Sequence, residues 1–122
     1  MANILLVEDD LAMLETLSLA MRSKGHNVVT AHNGEQGVAS IAENHFDLVV
    51  TDILMPHVDG LGMIDEMKRV APNTKVLAIS GEGIAVNFSF LDAAKRHGAM
   101  ETLQKPFPIS AFYSALDKCL AA

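Results

Sequence analysis

The sequence predicts an α/β fold: a (βα)5 three-layer sandwich around a five-stranded parallel sheet in the order 2-1-3-4-5. Three observations carry that prediction. Short apolar runs alternate with longer amphipathic segments along all 122 residues, the pattern of a parallel sheet with helices on both faces. The length is that of one ordinary domain, residues 1–122, enough to bury roughly 65% of the unfolded surface without staples. Half of the residues are apolar and a fifth are charged, a globular composition and not a disordered one.

The elements follow in order. Ile4-Leu5-Leu6-Val7 is a continuous apolar run and reads as a buried strand. Leu11 to Lys24 reads as a helix with Leu11, Leu14, Leu17 and Met21 on one stripe and Gly25 at its C′ position. Asn27–Ala31 is the second strand, and Asn33 caps a helix to about Glu43 whose apolar face is Val38, Ile41 and Ala42. Leu48-Val49-Val50-Thr51 is the third strand. Asp59-Gly60 then turns the chain into a helix over Gly60 to Val70, with Met63, Ile64, Met67 and Val70 facing in and Pro72 beyond its end. Lys75 to Ile79 is the fourth strand, and a helix runs from about Val86 to His97, stopping at Gly98. Met100 to Gln104 is a weak fifth strand; Ile109, Phe112, Tyr113, Leu116 and Leu120 mark the last helix. Right-handed crossovers leave few topologies for five such units, and the flavodoxin-like order 2-1-3-4-5 is the one adopted. In that order the ligand site lies beyond the C-terminal strand ends, between the first and third strands.

Composition excludes several classes. Cys119 is the one cysteine, so there is no internal disulfide and no cysteine-based zinc site, and a buried structural thiol is expected. No apolar run approaches the ~20 residues of a membrane span. The start, Met1-Ala2-Asn3, lacks a basic leader, so a soluble cytoplasmic protein without membrane insertion is expected. A net charge of −6, from 15 acids and 9 bases, speaks against a nucleic-acid partner. The histidines at 26, 32, 45, 57 and 97 show no metal spacing and read as surface residues, and the seven methionines read mostly as core.

The acids cluster where the fold would need them. Glu8, Asp9 and Asp10 follow the first strand and Asp52 follows the third, so Glu8, Asp9 and Asp52 should converge. Like charges held together cost stability unless a cation offsets them, and an all-oxygen donor set suits Mg²⁺. Asp10 is well placed as an N-cap. Ser80, followed by Gly81 and Gly83, ends the fourth strand, and Lys105-Pro106 follows the fifth. A carboxylate so placed can attack a phosphoryl group and form an aspartyl phosphate. Metal and ammonium would offset the anion–anion repulsion, and the hydroxyl could donate to a phosphoryl oxygen.

Four segments then carry a family resemblance. They are Ile4-Leu5-Leu6-Val7-Glu8-Asp9-Asp10, Asp52-Ile53-Leu54-Met55-Pro56-His57-Val58-Asp59-Gly60, Val76-Leu77-Ala78-Ile79-Ser80-Gly81 and Lys105-Pro106-Phe107. In this order and spacing the chain resembles the CheY-like receiver domain of bacterial response regulators over essentially its whole length. The resemblance implies that Asp52 is the phosphoacceptor. It implies that Asp9, Asp52 and the Leu54 carbonyl ligate Mg²⁺, with Glu8 acting through water. Ser80 matches the switch hydroxyl and Lys105 the phosphoryl-binding lysine, and a cis Lys105–Pro106 peptide is implied. A sensor histidine kinase or a histidine phosphotransfer protein would be the donor and a downstream protein the target. Homodimerisation is left open.

Thr102 departs from the family, which usually places an aromatic three residues before the lysine. A threonine cannot bury a ring's area, so output is expected through the Ser80–Asn87 loop and the start of the fourth helix, with Phe88 and Phe90 beside it. Pro108 stands where a capping acid is common and is read as the first helical residue. Leu54 and Glu82 sit where the family tunes phosphoryl lifetime. Within this resemblance the chain is a signalling module or a relay intermediate and not an enzyme in the usual sense. The alternatives are a degenerate, phosphorylation-independent binding module, a flavin carrier of the same topology and an Mg²⁺-dependent phosphohydrolase. The Glu8-Asp9-Asp10 loop repels a flavin phosphate, and no general acid for a hydrolase is evident near Asp52.

Overall fold

A computed structural model of the chain describes residues 1–53, 60–80 and 88–122, without the side chains of 88–91. Its elements are β1 (Asn3–Val7), α1 (Leu11–Ser23), β2 (Asn27–Ala31), α2 (Gly34–Glu43), β3 (Leu48–Asp52), α3 (Gly60–Val70), β4 (Lys75–Ser80), α4 (Phe88–His97), β5 (Glu101–Gln104) and α5 (Ile109–Ala121). The five strands form one sheet in the order β2-β1-β3-β4-β5, and every pairing is parallel. This is the architecture the alternating pattern predicts.

The period-2 geometry of strands divides the core in two. Leu5, Val7, Val49, Val76 and Ala78 face one way, onto Ile41 of α2, Met63, Ile64 and Met67 of α3 and Ala94 of α4. Ile4, Leu6, Leu48, Val50, Leu77 and Ile79 face the other way, onto Leu14, Leu17 and Met21 of α1 and Phe112, Leu116 and Cys119 of α5. β1, β3 and β4 are therefore apolar on both faces, which is why they read as unbroken apolar runs.

Local chemistry fixes the helix ends. Asp10 Oδ1 accepts from the N–H groups of Ala12 (3.0 Å) and Met13 (3.3 Å) at the start of α1. The other end closes as a Schellman turn: Gly25, at φ +89°, donates to Arg22 O, and His26 N–H donates to Met21 O. Asn33 caps α2 by accepting from Gln36 N–H at 2.8 Å, and Gln36 Oε1 accepts from His32 N–H. Gly60 opens α3 so close to β3 that a Cβ there would lie 2.1 Å from the Ile53 carbonyl oxygen. No side chain fits at that contact, one residue beyond Asp52.

Several sequence expectations are corrected. Leu11 is 64% exposed, because the first residue of α1 precedes the turn that packs on the sheet. α2 packs through Gly34, Gly37 and Ile41 while Ala42 faces solvent; a Cβ at Gly37 would lie 2.8 Å from a Val7 methyl, so the helix approaches β1 on its glycines. Pro108 is the N-cap of α5 with extended ψ 153°, one position before the helix, and makes no side-chain cap. Ile109 is exposed. Met100 precedes β5 and is exposed, as is Met1; Met21, Met63 and Met67 are buried and Met13 is half-buried. His26 is half-buried, its Nδ1 accepting from Ala2 N–H. His57, Asp59 and residues 81–87, with Val86 among them, lie outside the described residues.

Candidate functional site

Parallel pairing brings the C-terminal ends of β1, β3, β4 and β5 to one rim. Glu8 follows β1 directly, and its N–H donates to Ala31 O at 3.0 Å. Asp52 is the last residue of β3, in register with Ile79, and Ser80 is the last of β4, in register with Gln104. The ladder continues past the strands: Ile53 N–H donates to Ile79 O and Lys105 N–H to Ser80 O, each at 2.9 Å. These bonds hold the four site segments to the sheet and set the directions in which their side chains leave it.

The site is an acid cluster gripped by one ammonium. Lys105 Nζ donates to Asp52 Oδ2 at 2.8 Å and to Glu8 Oε1 at 3.0 Å. Glu8 Oε2 accepts from Asp10 N–H at 3.1 Å. Glu8 is 1% and Asp52 3% exposed, and Ser80 is buried beside them, whereas Asp9 is exposed. One carboxylate oxygen from each of Glu8, Asp9 and Asp52 lies within 4.8 Å of the other two. The set can hold a metal ion, and its oxygen-only chemistry suits a hard cation.

The electrostatics follow from burial and charge. Burial pushes the Glu8 carboxyl up to about 7 and the neighbouring Asp52 adds to the rise, against the pull of Lys105 and the Asp10 N–H. Burial works against the Lys105 ammonium, yet its hydrogen bonds to Asp52 and Glu8 and their charges hold it above the ordinary lysine range. Far from this rim, burial pushes the Cys119 thiol up to about 11, with Glu101 adding to it, so the thiol is an inert core group.

Of the residues singled out in the sequence, Glu8, Asp9, Asp52, Ser80 and Lys105 all lie on this rim. The Lys105–Pro106 peptide is cis. Leu54, whose carbonyl the resemblance adds to the metal set, is outside the described residues, as are Gly81, Glu82, Gly83 and Asn87. Thr102 is half-buried on β5 opposite Ala78 of β4, two strands away from Asp52. Sequence reasoning missed the direct contact between Lys105 and Glu8 and the bond from Asp10 N–H to Glu8. The strand-end rule put these groups on one rim, but nothing in their spacing showed that the lysine reaches both acids.

The chain matches the family model described as response regulator receiver domain over residues 4–117. The chain belongs to the response-regulator receiver family. It is 34% identical over 119 residues to the transcriptional regulatory protein GlrR of Escherichia coli (strain K12), covering 98% of this chain and 26% of that protein. It is 32% identical to the DNA-binding transcriptional regulator NtrC of Azospirillum brasilense, covering 98% of this chain and 24% of that protein. The chain thus spans about a quarter of the length of these curated relatives. A response regulator receiver domain protein from Clostridium thermocellum has the same fold at a TM-score of 0.89, with 27% identity, 99% of this chain and 95% of that chain. The receiver reading stands, as a phosphoacceptor module of two-component signalling, and the degenerate binding module is not favoured. Among the described residues no helix is long and apolar enough to cross a membrane.

Proposed function

We propose that Asp52 accepts a phosphoryl group from a phosphohistidine on a sensor histidine kinase or a histidine phosphotransfer protein in the cytoplasm. The observation that carries this reading is the bridge of Lys105 Nζ to both Asp52 and Glu8 inside a three-carboxylate cluster. An Asp52 oxygen forms the O–P bond as the donor's N–P bond breaks, and the imidazole leaves and takes up a proton. Lys105, already on Asp52 Oδ2, is placed to follow the phosphoryl oxygens as charge moves onto them. The Ser80 hydroxyl donates to one of those oxygens, and its placement at the end of β4 makes it the sensor of the group.

Asp9 and Asp52 would hold Mg²⁺ directly and Glu8 would act through water, its own oxygens being engaged by Lys105 and the Asp10 N–H. When bound the ion supplies positive charge between the nucleophile and the incoming anion. Catalysis is limited to the domain's own phosphorylation and dephosphorylation, and the signal is read by a partner surface outside these 122 residues. Thr102 supports a second role as a relay intermediate, because it stands where the family usually places an aromatic and cannot bury a ring's area.

Incubation with acetyl phosphate tests the reading. We expect an acid-stable, hydroxylamine-labile acyl phosphate that forms with Mg²⁺ and is lost in EDTA. Equal labelling in EDTA would remove the metal from the reading, and transfer of the label to a purified phosphotransfer protein would favour the relay role.

A further inference from the structure

Asp10 joins two parts of the molecule that meet at the site rim, the acid cluster and helix α1. Its carboxylate faces the helix: Oδ1 accepts from Ala12 N–H at 3.0 Å and from Met13 N–H at 3.3 Å. Its carbonyl accepts the first helical bond, from Leu14 N–H at 2.9 Å. Its own N–H turns the other way and donates to Glu8 Oε2 at 3.1 Å. Side chain, carbonyl and N–H are all engaged, so the helix end sets the orientation of this residue, at φ −79° and ψ 110°.

That residue closes one side of the turn that carries two of the three acids. On the other side, Glu8 N–H donates to Ala31 O at 3.0 Å. Lys105 holds Glu8 Oε1 at 3.0 Å, so the Asp10 N–H is the second anchor of a carboxylate that is 1% exposed. Asp9 lies between these two anchored residues. Among the described residues no hydrogen bond fixes its exposed side chain. The approach of its oxygen to those of Glu8 and Asp52 therefore depends on the backbone of the turn. Carboxylates at a metal are held in turn by the groups behind them, and losing such a group weakens the site. Asn33 shows what a cap does without this link. Its Oδ1 accepts from Gln36 N–H at 2.8 Å, and its carbonyl accepts from Gly37 N–H, both within α2.

We infer that Asp10 is a positioning residue for the acid cluster, a role that rests on the reading of the cluster as a Mg²⁺ site. By capping α1 it aims its N–H at Glu8 and fixes the turn on which Asp9 stands. The role belongs to the oxygen that accepts from the helix and not to the negative charge. Asparagine, an equally good N-cap, can therefore fill it.

Asp10→Ala, Asp10→Asn and Asn33→Ala, each in the whole chain, test the role. Position 10 is exposed, so its variants leave the core intact. Calorimetric titration with Mg²⁺ should show affinity falling about tenfold in Asp10→Ala, the usual loss for a group that orients a ligand. Asp10→Asn should lose less than about threefold, the size of an exposed charge effect. Asn33→Ala loses a cap as well and should bind Mg²⁺ as wild type does. Hydrogen exchange without divalent cation gives a second readout. The amide of residue 10 should exchange faster in Asp10→Ala than in wild type and stay protected in the other two variants. Wild-type affinity in Asp10→Ala overturns the inference. Asp10→Asn binding as weakly as Asp10→Ala overturns it too, because the effect is then one of charge. An equal loss in Asn33→Ala does the same, because the effect is then one of general stability. A wild-type chain that binds no Mg²⁺ overturns the metal reading instead, and the exchange rates at residue 10 then decide whether the cap holds Glu8.

Discussion

Replacing Lys105 by methionine is expected to raise the affinity for Mg²⁺ while slowing phosphoryl uptake from a small donor by about 100-fold, the usual loss on removing one preorganised charge-stabilising donor. The two effects have one cause. The ammonium sits 2.8 Å from Asp52 and 3.0 Å from Glu8 and repels any cation that seeks the same oxygens. Methionine keeps the stem's volume and removes that competitor. It also removes the positive charge that must neutralise the phosphoryl oxygens as they approach a carboxylate. The variant has a stability signature too. Two carboxylates that are nearly inaccessible to solvent lose their shared partner, and breaking such a buried pair from one side costs about 3 kcal/mol. Thermal melts at pH 7.5 should show that loss without divalent cation and a partial recovery in Mg²⁺. Equal losses of metal affinity and of labelling would instead mean that the lysine only holds the site together.

The second large effect is a pH dependence carried by Glu8. Its carboxyl titrates near 7 in the folded chain against an ordinary value of 4.5. Between those values the folded state keeps a proton that the unfolded state has lost, so stability falls as pH rises. The contribution is fully present below about pH 4.5 and is lost by the time pH has passed about 7, a difference of about 1–3 kcal/mol. Glu8→Gln keeps the hydrogen bond accepted from Asp10 and cannot ionise. Its stability relative to wild type should therefore grow across this window, measured by urea unfolding in the absence of divalent cation. Mg²⁺ needs the ionised form, so its affinity for wild type should rise over the same range, with proton release. Parallel stability curves for wild type and Glu8→Gln would show that Glu8 titrates normally.

Most of the fold could be read from periodicity. β1, β3 and β4 are buried on both faces and so are written as unbroken apolar runs, and Asn33, Asp10 and Gly25 mark helix ends through side-chain or backbone chemistry that is local in sequence. The errors fall where tertiary contact decides. Leu11 matches the helical stripe, but it starts α1 above the sheet and faces water. Ala42 matches its stripe too, yet α2 approaches β1 through Gly37, and a glycine reads as a break in an apolar pattern and not as its centre. Ile109 and Met100 sit at element ends, where hydropathy says little about side-chain direction.

The site was legible for a different reason. In a doubly wound sheet, strand-end positions converge whatever lies between them, so Glu8, Asp9, Asp52, Ser80 and Lys105 could be grouped from strand order alone. What spacing could not give is reach. That Lys105 bridges Asp52 and Glu8, and that Glu8 is buried and bonded to the Asp10 N–H, depends on where the β5–α5 turn sets the lysine stem.

The intact mass of wild type and Asp52→Asn, each exposed to acetyl phosphate with Mg²⁺, tests the central claim most directly. The account predicts a single phosphoryl increment on wild type and none on the variant, whose metal-facing rim is otherwise kept. An increment of the same size on Asp52→Asn, or an unlabelled wild type that a histidine-phosphorylated donor also fails to label, would contradict it.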